Sequence, residues 1–95
     1  MQPDPKLIGL IGKAHDWFAK LSSGQRDGVA AIAQEEQVTS SYVTRVVQLA
    51  FLAPDIVHLI HRGEQPLELN SYQLIRMVPL PLHWAEQHKV LGLTS

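Results

Sequence analysis

The stretch Val29–Gln48 decides the fold, and it reads VAAIAQEEQVTSSYVTRVVQ. Ile32 and Ala33 end the inner face of one helix, and the small side chain of Ala33 allows a second helix to cross it closely. Val43 and Val46 follow at helical spacing and anchor that second helix against the first. This spacing is typical of a helix-turn-helix, in which the first helix braces the nucleic-acid backbone and the second enters the major groove.

The turn between these two helices is predicted at Gln37 and Val38. Val38 is expected to fill the turn with its side chain. Glycine often holds the position of Gln37, because a left-handed backbone costs other residues roughly 1 kcal/mol. We interpret Gln37 as a tolerable defect, since a packed core can offset a cost of this size.

Helical spacing of apolar residues extends along the rest of the chain, whereas alternating strand patterns do not occur. We therefore predict an all-α fold: a compact bundle of about six short helices, forming a single domain over residues 1–95, with a helix-turn-helix at about 27–52. Asp27 is the predicted N-cap of the second helix. The predicted helices are Pro5–Leu21, Asp27–Glu36, Thr39 or Ser40 to Leu52, Pro54–His61, Asn70 or Ser71 to Val78, and Leu82–Leu91.

The composition is that of a compact domain rather than a disordered segment, because 45% of the 95 residues are hydrophobic and 18% are charged. The absence of cysteine excludes disulfides and cysteine-based zinc sites and fits a reducing compartment. No apolar run approaches the roughly 20 residues of a membrane-spanning helix, so no membrane partner is predicted.

Trp17, Phe18 and Trp84 are expected to be anchors of the core.

The outward face of the third predicted helix is rich in groups that contact nucleic acids. Arg45 can read guanine through paired hydrogen bonds, Gln48 can read adenine, and Thr44 can meet a thymine methyl group or a phosphate. Hydroxyl and amide groups near the start of a helix suit phosphate contacts. An ordinary solvated helix face remains the alternative. The predicted DNA-binding residues are Thr39, Ser40, Ser41, Tyr42, Thr44, Arg45 and Gln48.

The formal net charge of -1 counts against a strong DNA binder, which usually has a basic excess. The distribution of charge over the faces therefore matters more than the total. Lys6, Lys13 and Lys20 are spaced seven residues apart and share one face of the first helix, and Arg26 can extend that patch. Lys13, Lys20 and Arg26 are candidate phosphate contacts, with a solvated face as the alternative.

Two further segments carry a resemblance to a known family. LAFLAPDIV at residues 49–57 follows the segment Ile32–Arg45, and VPLPLHWAEQ occupies residues 78–87. In this order the segments resemble the C-terminal helix-turn-helix DNA-binding region of large bacterial serine site-specific recombinases, over about residues 5–92. The helix-turn-helix part is also similar, more distantly, to that of ParB/KorB-type partition and repressor proteins.

The resemblance implies double-stranded DNA as the partner and a bacterial, cytoplasmic location at the nucleoid. It does not imply catalysis, because those recombinases cut DNA with a serine in a separate N-terminal domain to which nothing in this chain corresponds. We predict no enzyme activity, no cofactor and no metal site. His58 and His61 are close in sequence, but no cysteine or obvious carboxylate pair completes a zinc site with them. A homodimer, or a larger recombinase or regulator partner, is expected because single domains of this size bind DNA weakly.

A protein-interaction module that regulates a DNA-acting partner is the alternative function. The net charge of -1 favours it, as do apolar residues of the last third that are candidates for an exposed surface. These residues are Leu67, Leu69, Leu74, Ile75, Leu80 and Leu82.

Overall fold

The computed structural model describes residues 3–66 and 69–93, and both segments are helical without any strand. This confirms the predicted all-α class. A short 3-10 helix, Leu49–Phe51, directly follows the third α-helix. The α-helices are α1 (Pro5–Ser22), α2 (Val29–Glu36), α3 (Ser40–Gln48), α4 (Pro54–His61), α5 (Ser71–Met77) and α6 (Trp84–Val90).

The longest helix, α1, is the central element of the bundle. The carboxylate of Asp4 caps it by accepting hydrogen bonds from the backbone N–H groups of Lys6, at 3.0 Å, and Leu7, at 3.3 Å. Pro5 suits the first turn, because the missing N–H would have no partner inside the helix. The buried face of α1 packs against α3, the 3-10 helix, α4 and α5. It consists of Leu7, Leu10, Ile11, Ala14 and Trp17.

The helices α1 to α5 contribute to one hydrophobic cluster, and Leu91, directly after α6, completes it. Ile32 and Ala33 of α2 and Val43 and Val46 of α3 are buried in it, as their spacing predicts. Because α2 and α3 pack on each other and α3 packs on α1, the opposite side of α3 is left facing solvent. The core therefore fixes which face of α3 is available to a partner.

The last helix is attached to the body by a buried glutamine. Gln87 is only 1% exposed, and its Oε1 accepts a hydrogen bond from the backbone N–H of Ala53 at 2.8 Å. Its Nε2 donates to the backbone carbonyls of Phe51, at 3.1 Å, and Pro81, at 2.8 Å. These bonds use most of the hydrogen-bonding capacity of the side-chain amide, as is typical of a buried polar group.

Two of the three predicted aromatic anchors are not buried. Trp17 is in the core, but Trp84 is 56% exposed and Phe18 is 39% exposed. Phe18 packs edge-on against Phe51, with ring centroids 5.2 Å apart. Gln87, and not Trp84, therefore attaches α6 to the body.

Several predicted helix ends shift by one or two residues, and the third α-helix ends four residues before its predicted end. Asp27 does not cap α2: the N-cap is Gly28, which has extended backbone and no side-chain hydrogen bond. The third helix changes to 3-10 geometry after Gln48 instead of continuing as an α-helix to Leu52. The last helix begins at Trp84, and Leu82, its predicted first residue, is exposed.

Most apolar residues proposed for an exposed surface are covered. Leu69 and Leu74 are buried, and Ile75 and Leu80 are partly buried. Leu82 is exposed as expected, and Leu67 lies outside the described residues.

No single helix of the described segments is long and apolar enough to cross a membrane. The stretch Ser40–Phe51 reaches that length and apolarity only together with α4, and the two are bent by 101° at their junction.

Candidate nucleic-acid interface

The turn between α2 and α3 is tight and depends on one unusual backbone conformation. Gln37 adopts φ 59° and ψ 43°, the left-handed region that the sequence suggested for this position. The N–H of Val38 then donates to the carbonyl of Ala33 at 3.0 Å. Thr39 begins α3 as its N-cap, accepting a hydrogen bond from the N–H of Tyr42 at 3.1 Å. Val38 is 37% exposed, so the expectation that its side chain fills the turn is wrong.

The outward face of α3 lines an open cleft, which we call the recognition cleft. Five of the seven predicted contact residues lie in it. Arg45 is exposed and forms no ion pair with a carboxylate of the described segments. The lining consists of Ser40, Ser41, Thr44, Arg45 and Gln48 of α3, with Val78 and Pro79.

The two remaining predicted contact residues, Thr39 and Tyr42, make contacts with other parts of the protein. Tyr42 is partly buried, and its ring packs edge-on against Trp17 with centroids 6.4 Å apart. The hydroxyl of Thr39 is occupied as the α3 cap. The hydroxyl of Thr44 also has an internal partner, since it donates to the carbonyl of Ser40 at 3.0 Å.

One wall of the recognition cleft was not predicted. Val78 and Pro79 belong to the connection between α5 and α6, which passes beside the outward face of α3. The sequence indicates only that Pro79 breaks a helix. Which side of α3 the broken chain then follows depends on contacts between residues far apart in sequence.

The predicted phosphate-contact residues fall into two groups. The ammonium of Lys20 lies 3.3 Å from a carboxylate oxygen of Asp16, and Arg26 forms an ion pair with Glu35. The hydrogen bond from Arg26 lowers the pKa of the Glu35 carboxyl below its usual range. Lys13, by contrast, has no ion pair with any described carboxylate.

Lys13 lines a second cleft, which we call the α1 cleft because one side of it is the first half of α1. This cleft lies between α1, the start of α3 and α5. Its lining contains no acidic residue of the described segments and consists of Pro5, Lys6, Gly9, Leu10, Lys13, Tyr42, Ser71 and Ile75.

The two histidines of α4 do not assemble a metal-binding cluster with other described residues. His58 and His61 are both exposed. No group of three or more His, Asp or Glu side chains comes together anywhere in residues 3–66 and 69–93.

Comparison of the chain with protein-family models, curated proteins and solved structures gives no match. The resemblance to recombinase and partition proteins therefore stays a prediction.

Proposed function

We propose that this chain is a DNA-binding domain of the helix-turn-helix type that reads duplex DNA with the outward face of α3. One observation carries the proposal. Arg45 and Gln48 lie side by side in an exposed cleft, and Arg45 has no described acidic partner. Arginine pairs with guanine and glutamine with adenine in the major groove.

Hydroxyl groups at the start of α3 complete this surface. Ser40 and Ser41 are exposed and line the same cleft as Arg45. Serine hydroxyls contact phosphates or base edges in protein–DNA complexes. We therefore assign base reading to Arg45 and Gln48, and a positioning role to the two serines.

The distribution of charge removes much of the objection raised by the net charge of -1. No acidic side chain of the described residues lines the recognition cleft or the α1 cleft. Glu35, which is close in sequence to the turn, is already paired with Arg26. Glu36, directly before Gln37, is exposed and has no ion pair with a described cation, so it is a source of repulsion near the turn. A DNA backbone in the recognition cleft itself would meet no described carboxylate in the lining, and Coulomb interactions are largely screened beyond about 8 Å at physiological salt.

Within this proposal, the domain serves a bacterial site-specific recombinase or a transcription or partition regulator at the nucleoid. The sequence order that resembles recombinases supports this narrower assignment. Double-stranded DNA is the partner, and a homodimer would raise affinity by engaging two half-sites.

The decisive experiment selects duplexes from a random pool and measures binding of the winners by fluorescence anisotropy. Arg45→Ala should weaken binding to the selected duplex by about 1–3 kcal/mol and relax specificity at one base pair. Arg62→Ala is the matched control, because Arg62 is paired with Glu64 and does not line the recognition cleft. No binding by the wild type at low salt, or equal binding by Arg45→Ala, would contradict the proposal.

A protein-interaction module is the second candidate. It is favoured by large apolar side chains that the structure leaves exposed, among them Phe51, Leu82, Trp84 and Val90. Light scattering distinguishes this function: self-association that Leu82→Ser abolishes would support it. A strictly monomeric chain that binds selected DNA tightly would rule it out as the main role.

A further inference from the structure

The α1 cleft adjoins the recognition cleft. Ser41 lines the recognition cleft and Tyr42, the next residue, lines the α1 cleft. On the other side, Ile75 of α5 lines the α1 cleft and Val78, just beyond the end of α5, lines the recognition cleft. The two clefts therefore border neighbouring residues at the start of α3 and at the end of α5.

Two lysines give the α1 cleft a positive charge. Lys6 and Lys13 are both exposed, and neither forms an ion pair with a described carboxylate. They lie two helical turns apart on one face, about 10 Å along the axis of α1. The cleft therefore presents a row of charge that is complementary to a polyanion.

Gly9 lies between these lysines and is not needed by the fold. A glycine inside a helix is destabilising relative to alanine. A Cβ atom added at Gly9 would meet no other atom within 4 Å, so close packing inside the protein does not explain the residue. A glycine at such a place suits the close approach of a ligand to the backbone.

We propose that the α1 cleft binds the sugar-phosphate backbone of the duplex whose bases α3 reads. Gly9 is the point of closest approach, and Lys6 and Lys13 each neutralise a phosphate. This inference rests on the proposed function, because the clefts can share a ligand only if DNA lies against α3. It assigns sequence-independent affinity to α1 and sequence reading to Arg45.

The salt dependence of binding tests the lysines. Each phosphate contact contributes about -0.9 to the slope of log affinity against log salt. Lys6→Gln and Lys13→Gln should each make the slope shallower by about that amount, equally on selected and random duplexes. Lys89→Gln is the matched control, because Lys89 is also without a described acidic partner but lines neither cleft.

The glycine gives a test in which stability and binding change in opposite directions. Gly9→Gln should raise the melting temperature, because glutamine favours helix, yet lower DNA affinity by on the order of tenfold. Gly12→Gln should raise the melting temperature without lowering affinity. Gly12 has the same open surroundings but does not line the α1 cleft.

The outcomes separate this inference from the proposed function. Unchanged salt slopes in both lysine variants, with undiminished binding by Gly9→Gln, would overturn the role of the α1 cleft even if Arg45→Ala still loses specificity. A wild-type chain that binds no DNA would overturn both. Binding to vesicles containing anionic lipid, lost in Lys13→Gln and without any DNA binding, would overturn duplex DNA as the occupant.

Discussion

At the scale of single residues, Gln37 determines the geometry of the candidate interface. Its left-handed backbone ends α2 and begins the turn to α3. The side chain is exposed and forms none of the side-chain hydrogen bonds described for the chain, so nothing local offsets the backbone strain. The turn is held because Ile32 and Val43, on either side of it, are buried in the common core.

Substitutions of Gln37 should therefore raise or lower the free energy of unfolding according to how well the new residue adopts a left-handed backbone. Gln37→Gly removes the left-handed strain but increases the entropy of the unfolded chain, with an expected net gain of about 0.5 kcal/mol. Gln37→Val should lose about 1 kcal/mol or more, because β-branched side chains fit this region poorly. Urea denaturation measures both. Stabilisation by valine, or a large loss with glycine, would show that the side chain has a role of its own.

Residue-scale features were predictable where the cause is local. The left-handed position of Gln37 was predicted from the helix-turn-helix pattern, and the burial of Ile32 and Val46 was predicted from helical spacing. Trp84 and Tyr42 were assigned wrongly or incompletely, because their burial depends on which distant helix packs beside them. Tyr42 has the spacing of an outward-facing residue, but Trp17 of α1 covers part of its ring.

At the scale of elements, the helix ends were predicted best where a side chain or a proline defines them. Pro54 begins α4 and Asn70 caps α5, the latter by accepting a hydrogen bond from the N–H of Gln73 at 2.9 Å. The start of α2 was misplaced because Asp27 has the right residue type for a cap. The chain is still extended at Gly28, so the carboxylate of Asp27 is one residue too early.

The start of α2 is consequently under-stabilised and can be improved. Gly28→Ser should stabilise the protein by about 0.5 kcal/mol, because serine can cap the helix and restricts the unfolded chain. The site accepts a side chain, since a Cβ atom there would meet nothing within 4 Å. Asp27→Ala is the control and should change stability by less than about 0.5 kcal/mol. Thermal unfolding measures both variants. A larger change in melting temperature for Asp27→Ala than for Gly28→Ser would show that Asp27, and not Gly28, determines the stability of this helix end.

At the scale of the whole molecule, α6 holds the wall of the recognition cleft in place. Gln87 binds the carbonyl of Pro81, which is close to Pro79, and also binds the backbone of Phe51 and Ala53. These hydrogen bonds join residues that are far apart in the chain. Sequence spacing carries no information on such pairs, which explains why five cleft residues were predicted and the opposite wall was not.

A second link between α6 and the body depends on protonation. The Nδ1 of His88 lies 2.8 Å from the carbonyl of Trp84, and its Nε2 lies 2.9 Å from Asp55 of α4. Both acceptors are satisfied only by an imidazolium, which donates from both nitrogens. The Trp84 carbonyl and then the Asp55 carboxylate therefore raise the pKa of His88 above its ordinary value.

This link should make the attachment of α6 weaker as pH rises. Because the folded-state pKa of His88 is raised, its contribution to stability is fully present below the unfolded value of about 6.5 and is lost as pH passes through the folded value. Asp55 is exposed although His88 is partly buried, so solvent screens the pair and the contribution is at most about 1 kcal/mol. His88→Gln should therefore destabilise the protein more at about pH 5.5 than at about pH 8.5. Urea denaturation at the two pH values measures this difference. Lys89→Gln is the control, because it changes the neighbouring residue but none of the groups bonded to His88, and its effect should be the same at both pH values. An equal loss for His88→Gln at the two pH values would mean that His88 holds α6 through packing rather than through its charge.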